Sequence, residues 1–298
     1  MRPTRPLAWA LGSLIALSGA SLTGPVAAVA VRASERIHVT VVDARGRPVT
    51  GLTAADFEVR LDNQPQEVVS AAATLEPASV MIVTDRLGLN STYTAFDVGQ
   101  TLKGFTAAIR KGHADSKLAL TTIDGIVLSV TKFTDPAAGL DRALGRLASN
   151  AGDAALLDGL AEVCNVMRTA PTERRVIFTL LAAYRADQSN VRVEQVIDML
   201  RASGASLWVV EARQAQGGNF GNPAREQVLD YGSRHSGGLR EIVASRSGVT
   251  AATTRIADLI LAQYALTYGP AGGSIRSEVV VTVKRPGLRV LAASWVAR

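Results

Sequence analysis

The run S-V-M-I-V-T-D, Ser79 to Asp85, is apolar and β-branched and closes on an acid. Gly88, Asn90 and Ser91 follow it, and then a helical pattern from about Tyr93 to Arg110. An apolar run bounded by such a turn reads as a buried parallel strand delivering a carboxylate to its C-terminal edge, where open α/β sheets place their ligands. Strand and helix patterns alternate from there to about residue 262, which predicts a doubly wound, mostly parallel sheet. The helix after the first strand carries Phe96, Val98, Leu102, Phe105 and Ile109 at helical spacing toward a core. Asp124-Gly125 joins two strand patterns and predicts a hairpin, hence one antiparallel edge. V-I-F-T-L-L, Val176 to Leu181, is a second buried strand, and Leu207 to Val210 a third. Gln214 to Pro223 and Ser233 to Gly238 read as loops.

The flanking blocks have a different period. Ile37, Val39 and Val41 alternate before the turn at Ala44 to Pro48, as do Phe57, Val59 and Leu61 before Asn63-Gln64. On this alternation His38 faces solvent. Thr53 caps a short turn of helix between the two strands. Beyond Gln263 the strands Y-A-L-T-Y, S-E-V-V-V-T-V and L-R-V-L-A-A-S-W return. Neither block has enough strands to stand alone. The expectation is one small antiparallel β-sandwich built from both ends, with the α/β domain inserted. The domains are then 1–30, a leader; 31–75 and 263–298, the two parts of the sandwich; and 76–262, the α/β domain.

The leader reading rests on Arg2 and Arg5, the apolar run from Leu7 to about Ala20, and the small residues around Ala28-Val29-Ala30. Together they describe a secretory signal peptide cleaved after Ala30, and so a periplasmic or secreted product without a membrane anchor. The net charge of +6 falls to a mild +4 without those two arginines. Basic residues are scattered and aromatics are 5% of the chain, which argues against a nucleic-acid partner. The single cysteine, Cys164, sits on the apolar side of a helix and leaves an exported chain with no internal disulfide.

The order of blocks resembles the von Willebrand factor A-related domains of secreted bacterial proteins. The N-terminal block matches that family's V-D-x-x-G-x-P-V-x-x-L-x-x-x-D-F-x-V-x-x-D pattern at Val42, Asp43, Gly46, Pro48, Val49, Leu52, Asp56, Phe57, Val59 and Asp62. Y-A-L-T-Y and V-K-R-P-G-L-R-V are similar to its C-terminal strands. The resemblance implies a protein-binding domain, often acting through a metal-ion-dependent adhesion site. Such a site has D-x-S-x-S after the first strand, a threonine on a second loop and an aspartate after a later strand. Here Asp85 matches the first position, but Leu87 and Leu89 replace the serines, Ala154 replaces the threonine, and the last position falls at Leu181 or Ala182. A hard cation needs several converging oxygens, and this set supplies one. The expectation is a vestigial, metal-free site.

Catalysis has little support. His38, His113 and His235 are far apart and lack partners at ligand spacing, with His113 just past a helix end and His235 in a polar loop. A nucleophile elbow and a phosphate-binding loop are both missing, so neither catalytic residues nor a cofactor are expected. The reading is a non-catalytic, metal-independent protein-binding or scaffold module whose partner is an envelope or secreted protein. Tyr93, Asp153, Tyr184 and Arg185 are its candidate contacts. The alternative is a cation-dependent adhesin or metal-assisted enzyme with a site rebuilt around Asp85 and Asp153, drawing on Asn90, Ser91 or Asp187. A third possibility is a structural part of an envelope assembly.

Overall fold

The structure, a computed structural model, describes residues 34–85, 94–148, 154–182, 187–212, 222–269 and 277–296. The first block contains β1 (Glu35–Val42), a turn of 3-10 helix (Ala54–Asp56), β2 (Phe57–Leu61) and β3 (Gln64–Ala73). The central block begins with β4 (Ala78–Thr84), α1 (Ala95–Gly112), β5 (Lys117–Thr122), β6 (Leu128–Thr131), α2 (Ala137–Gly145) and α3 (Leu156–Arg168). It continues with β7 (Arg174–Ala182), α4 (Val193–Ser203), β8 (Ser206–Ala212), α5 (Pro223–His235), β9 (Arg240–Val243) and α6 (Arg246–Leu261). The last strands are β10 (Tyr264–Gly269), β11 (Val279–Val283) and β12 (Arg289–Ala292).

Two sheets result. The central one has the order β6-β5-β4-β7-β8-β9, and every pair is parallel except β5–β6. All of β4 is buried, as its unbroken apolar run requires of a strand covered on both faces. One face packs on α1, α2 and α6 and the other on α3, α4 and α5, with Phe105 of α1 stacked 4.1 Å from Phe178 of β7. α1 opens on a capping box in which Thr94 and Asp97 satisfy each other's backbone N–H groups. The expected hairpin at Asp124-Gly125 is present, with Gly125 at φ +68°.

The second sheet, β11-β2-β3-β10-β1-β12, is antiparallel and draws on both ends of the chain. A bridge between Glu278 and Trp295 brings its two edges back toward each other, so the sheet curls into a near-barrel. Its interior holds Ile37, Val39, Val41, Phe57, Val59, Tyr264, Leu266 and Val281. The terminal blocks thus share one core, as the strand arithmetic requires. The β2–β3 turn lies at Asp62-Asn63, both at positive φ, one residue before the expected Asn63-Gln64.

Several local readings are corrected. β1 is covered on both sides: the near-barrel core takes Ile37, Val39 and Val41, while Thr40 Oγ1 donates to the Leu259 carbonyl of α6 at 3.3 Å. His38 therefore does not face solvent but lies in the junction between the two sheets, 3.5 Å from Glu76. His235 is the last residue of α5, stacked between Tyr231 and Trp295 rather than lying in a loop. His113 caps α1 but is buried, and burial, then Arg174, keeps it below the usual imidazole range instead of favouring a positive charge. α5 runs on to His235, through the start of the loop expected at Ser233 to Gly238, and β9 follows that loop as a strand the sequence pattern does not announce. Cys164 is buried as expected, and burial pushes its thiol up to about 12, which leaves it unreactive.

His38 makes stability pH-dependent. Burial, then the Arg174 guanidinium, pushes its pKa down to about 4 against the opposing pull of Glu76. The unfolded chain takes up this proton near 6.5, and the folded one only near 4. The neutral ring therefore contributes fully above pH 6.5, and the contribution is lost as pH falls toward 4, amounting to about 3 kcal/mol at most. His113 and His235 are also held low and act in the same direction. The check is urea unfolding of wild type and His38→Gln between pH 7 and 4.5. Wild type loses more stability over that range, and parallel curves would assign the pH dependence to other groups.

Candidate functional site

The C-terminal edge of the central sheet is where the strand order places a ligand surface. β4 delivers Asp85 there with its side chain fully buried. β5 is locked beside it by the Ile123 N–H donating to the Thr84 carbonyl at 3.1 Å. Ala154 is held between the two loops: Ala155 N–H donates to the Ile123 carbonyl at 2.9 Å, and Gln188 N–H to the Ala154 carbonyl at 3.0 Å. Ladder bridges tie Ala154 to Asp124 on one side and Asp187 on the other. The result is a small layer in which Asp85, Asp124, Ala154 and Asp187 belong to adjoining segments.

The loop after β7 is fastened by carboxylates. Asp187 Oδ1 accepts from the backbone N–H of Ser189 at 3.0 Å and from its hydroxyl. Asp158, in the first turn of α3, accepts from the N–H groups of Asn190 and Val191, each at 2.9 Å. The Ser189 hydroxyl in turn accepts from the Asp158 N–H at 3.1 Å. Asp158 is therefore spent on positioning this loop. Next to it, Glu211 at the end of β8 is buried with Arg225 of α5 and Arg240 of β9, and Arg240 also reaches Glu226 at 2.9 Å. This network clamps the chain on both sides of residues 213–221.

Of the residues singled out from sequence for this edge, Asp85, Ala154, Leu181 and Asp187 are placed; the first three are buried and Asp187 is half-buried. Leu181 packs in the core with Leu207 and Val209. Leu87, Leu89, Asn90, Ser91, Tyr93, Asp153, Tyr184 and Arg185 lie outside the described residues, as does the loop read from Gln214 up to residue 221. The resemblance to von Willebrand factor A domains would bring a divalent cation to this edge, and the described residues do not fit one. Ala154 carries only a methyl at the position where the resemblance implies a hydroxyl, and no group of three or more His, Cys, Asp or Glu among the described residues is arranged to hold a metal. Buried oxygens without hydrogen bonds do remain here: Thr84 Oγ1, Thr122 Oγ1 and Asp187 Oδ2.

Apolar exposure on the rim was not legible beforehand. Phe96, in the first turn of α1, is 69% exposed and not part of the core, and Ile126, in the turn after β5, is 70% exposed. The only available signal was position. Both residues stand where an element projects beyond the sheet's end.

A mostly parallel sheet with one antiparallel edge strand and helices on both faces, carrying its acid at the end of a central strand, is a von Willebrand factor A-like fold. No protein-family model matches the chain, and neither does any curated protein. Among solved structures the chain is similar to proximal thread matrix protein 1 from the mussel byssus, at 12% identity and TM-score 0.49 over 74% of this chain and 50% of that one. It is similar to a von Willebrand factor type A protein from Catenulispora acidiphila at 12% identity and TM-score 0.47, over 89% and 75%. The PilB minor pilin of Streptococcus sanguinis gives 10% identity and TM-score 0.45, over 62% and 61%. The chain thus spans about half to three fifths of the mussel and pilin chains' length.

Proposed function

We propose that the chain is a non-catalytic, metal-independent binding module that engages a protein partner through the C-terminal rim of its central sheet. The observation that carries this reading is the pair of exposed apolar side chains, Phe96 and Ile126, on a rim whose one matching acid is buried beneath it. Isolated apolar residues on a surface are ordinary, but two on an edge where the topology places ligands fit an interface core. Tyr93, Asp153, Tyr184 and Arg185 belong to the same rim by sequence position and complete the proposed contact. With a leader cleaved after Ala30, the module works in the periplasm or outside the cell, on an envelope or secreted protein. Its parts are the 31–75 and 263–298 strands as base and 76–262 as binding unit.

A second reading rests on Asp187 Oδ2, buried and without a hydrogen bond beside Ala154: a cation held by displaced ligands with Asp85 and Asp153. One experiment separates the two. The chelator-treated protein is titrated with Mg²⁺, Mn²⁺ and Ca²⁺, and wild type and a Phe96→Asp/Ile126→Asp variant are used to capture proteins from an envelope fraction, with and without chelator. The proposal expects no cation binding and a captured protein whose retention falls by at least about tenfold in the variant, as at interface hot spots. Saturable cation binding that Asp187→Asn abolishes would replace the first reading with the second.

A further inference from the structure

The opposite end of the central sheet, where β7 and β8 begin, adjoins the near-barrel across a cavity of about 130 Å³. Its charged wall consists of Glu35, Arg36 and His38 from β1 and Glu173, Arg174 and Arg175 at the start of β7. Glu76, the carboxylate nearest this group from outside the wall, is paired with Arg36. Arg174 donates only to neutral oxygens: Gln263 Oε1 at 2.9 Å, the Glu76 carbonyl at 2.8 Å and the Ile260 carbonyl. Arg175 donates from Nη1 to the Ser203 carbonyl at 2.9 Å, while its Nε is buried and makes no hydrogen bond. His38 Nε2 is likewise buried, and its 3.5 Å separation from Glu76 is too long for a hydrogen bond.

A guanidinium N–H removed from water without an acceptor is costly, and native proteins rarely leave one so. Arg174 and Arg175 are hydrogen-bonded only to neutral oxygens, and Glu76, which acts on Arg174 through space, is shared with Arg36, so the wall keeps positive charge that a water molecule does not offset. From this we infer that the cavity binds a small oxyanion, of the phosphate, sulfate or dicarboxylate kind, which accepts from Arg175 Nε within the field of Arg36 and Arg174. Size sets the class. About 130 Å³ corresponds to a few water molecules' share of liquid volume, the room that one small oxyanion takes. Tyr268, on the same wall, is held protonated by burial and then by Glu35, at about 12, and stays a donor. Glu173 is exposed, so solvent and salt screen its repulsion. The bound anion joins β1 to β7 and so fastens the near-barrel to the α/β unit. This inference is independent of what the rim at the other end binds.

The test is isothermal titration of the full chain with inorganic phosphate, sulfate and malonate at constant ionic strength, for wild type, Arg175→Gln and Arg36→Gln. At least one anion gives saturable one-to-one binding to wild type, weakened at least about tenfold in Arg175→Gln by loss of a charge-assisted hydrogen bond, and less in Arg36→Gln. Comparing phosphate with malonate separates tetrahedral from carboxylate recognition. Absence of saturable heat for all three anions up to tens of millimolar overturns the proposal, as does unchanged affinity in Arg175→Gln. Should that variant fail to fold, Arg36→Gln, altered at a partly exposed side chain, decides: unchanged affinity there overturns it equally.

Discussion

Gly238→Ala destabilises the protein by about 3 kcal/mol or more, the upper range for overpacking. A Cβ at Gly238 stands 1.9 Å from the Leu207 carbonyl oxygen and 2.6 Å from its carbon, and both are backbone atoms. Leu207 cannot retreat. It lies in β8, between β7 and β9, and its N–H is bound to the Ser236 hydroxyl at 2.8 Å. The loop cannot retreat either, because Gly238 N–H donates to the Ser233 carbonyl at 2.9 Å and the next residue, Leu239, accepts from Val209 at 2.8 Å. Urea unfolding measures the effect as a lowered midpoint at unchanged slope. Gly104→Ala is the internal control: it lies in α1 with nothing within 4 Å, and the helix gains about 0.5–1 kcal/mol. Equal midpoints for Gly238→Ala and wild type would mean that the loop does not approach β8 as closely as described.

Arg174→Met costs about 3 kcal/mol or more, because each buried acceptor left without its donor costs about 1–3 kcal/mol. Methionine keeps the volume and removes all the donors, so the Gln263 side chain and the carbonyls of Glu76 and Ile260 are left buried without their partner. Those acceptors come from the segment before β4, the end of α6 and the entry to β10, which makes Arg174 the common fastening of the two sheets. Arg174→Lys recovers little, because an ammonium on a flexible stem does not reproduce a planar fork of donors. Loss of amide-exchange protection concentrated around residues 260–266 in both variants is the accompanying signature. With total stabilities of about 5–15 kcal/mol typical of folded proteins, either loss is a large share. A stability change under about 1 kcal/mol for Arg174→Met would show that water takes over the donors' role.

The parts of the fold legible in sequence are those where one periodicity acts alone. β4 is buried on both faces and therefore reads as an uninterrupted apolar run; the β5–β6 hairpin is announced by Asp124-Gly125 because few other residues accept the positive φ found at Gly125. Where two bodies meet, the pattern misleads. The alternation in β1 gives His38 a wet face, yet the α/β unit covers most of that face, so a half-exposed strand pattern conceals a strand that is enclosed from Ile37 onward apart from the partly buried His38. β9 was hidden for the opposite reason: Arg240 and Glu241 pair with Glu211 and Arg255, so a strand at the sheet edge carries charges that read as loop. Phe96 fits the helical stripe by spacing, but spacing does not say that the first turn of α1 extends past the sheet. At the candidate site the substitution of Ala154 for a hydroxyl was readable directly. The proximity of Asp124 and Asp187 to it was not, since bridges between separate loops leave no local signature.

The near-barrel's pairing scheme also constrains how the chain reaches its native state. β1 lies between β10 and β12, with Val39 opposite Tyr264 on one side and Ala292 on the other. Apart from a local bridge to Pro48, β1 thus has no strand neighbour until strands more than two hundred positions later have been synthesised. Contacts of such separation close slowly, because a long loop must be ordered before they return any energy. The parallel sheet, whose strands all fall within the intervening segment, has no such dependence. The expected sequence of events is an early α/β unit with an unpaired, alternating apolar strand trailing from its front. During that interval the chain is most exposed to edge-to-edge association, and a holding factor would have most to protect.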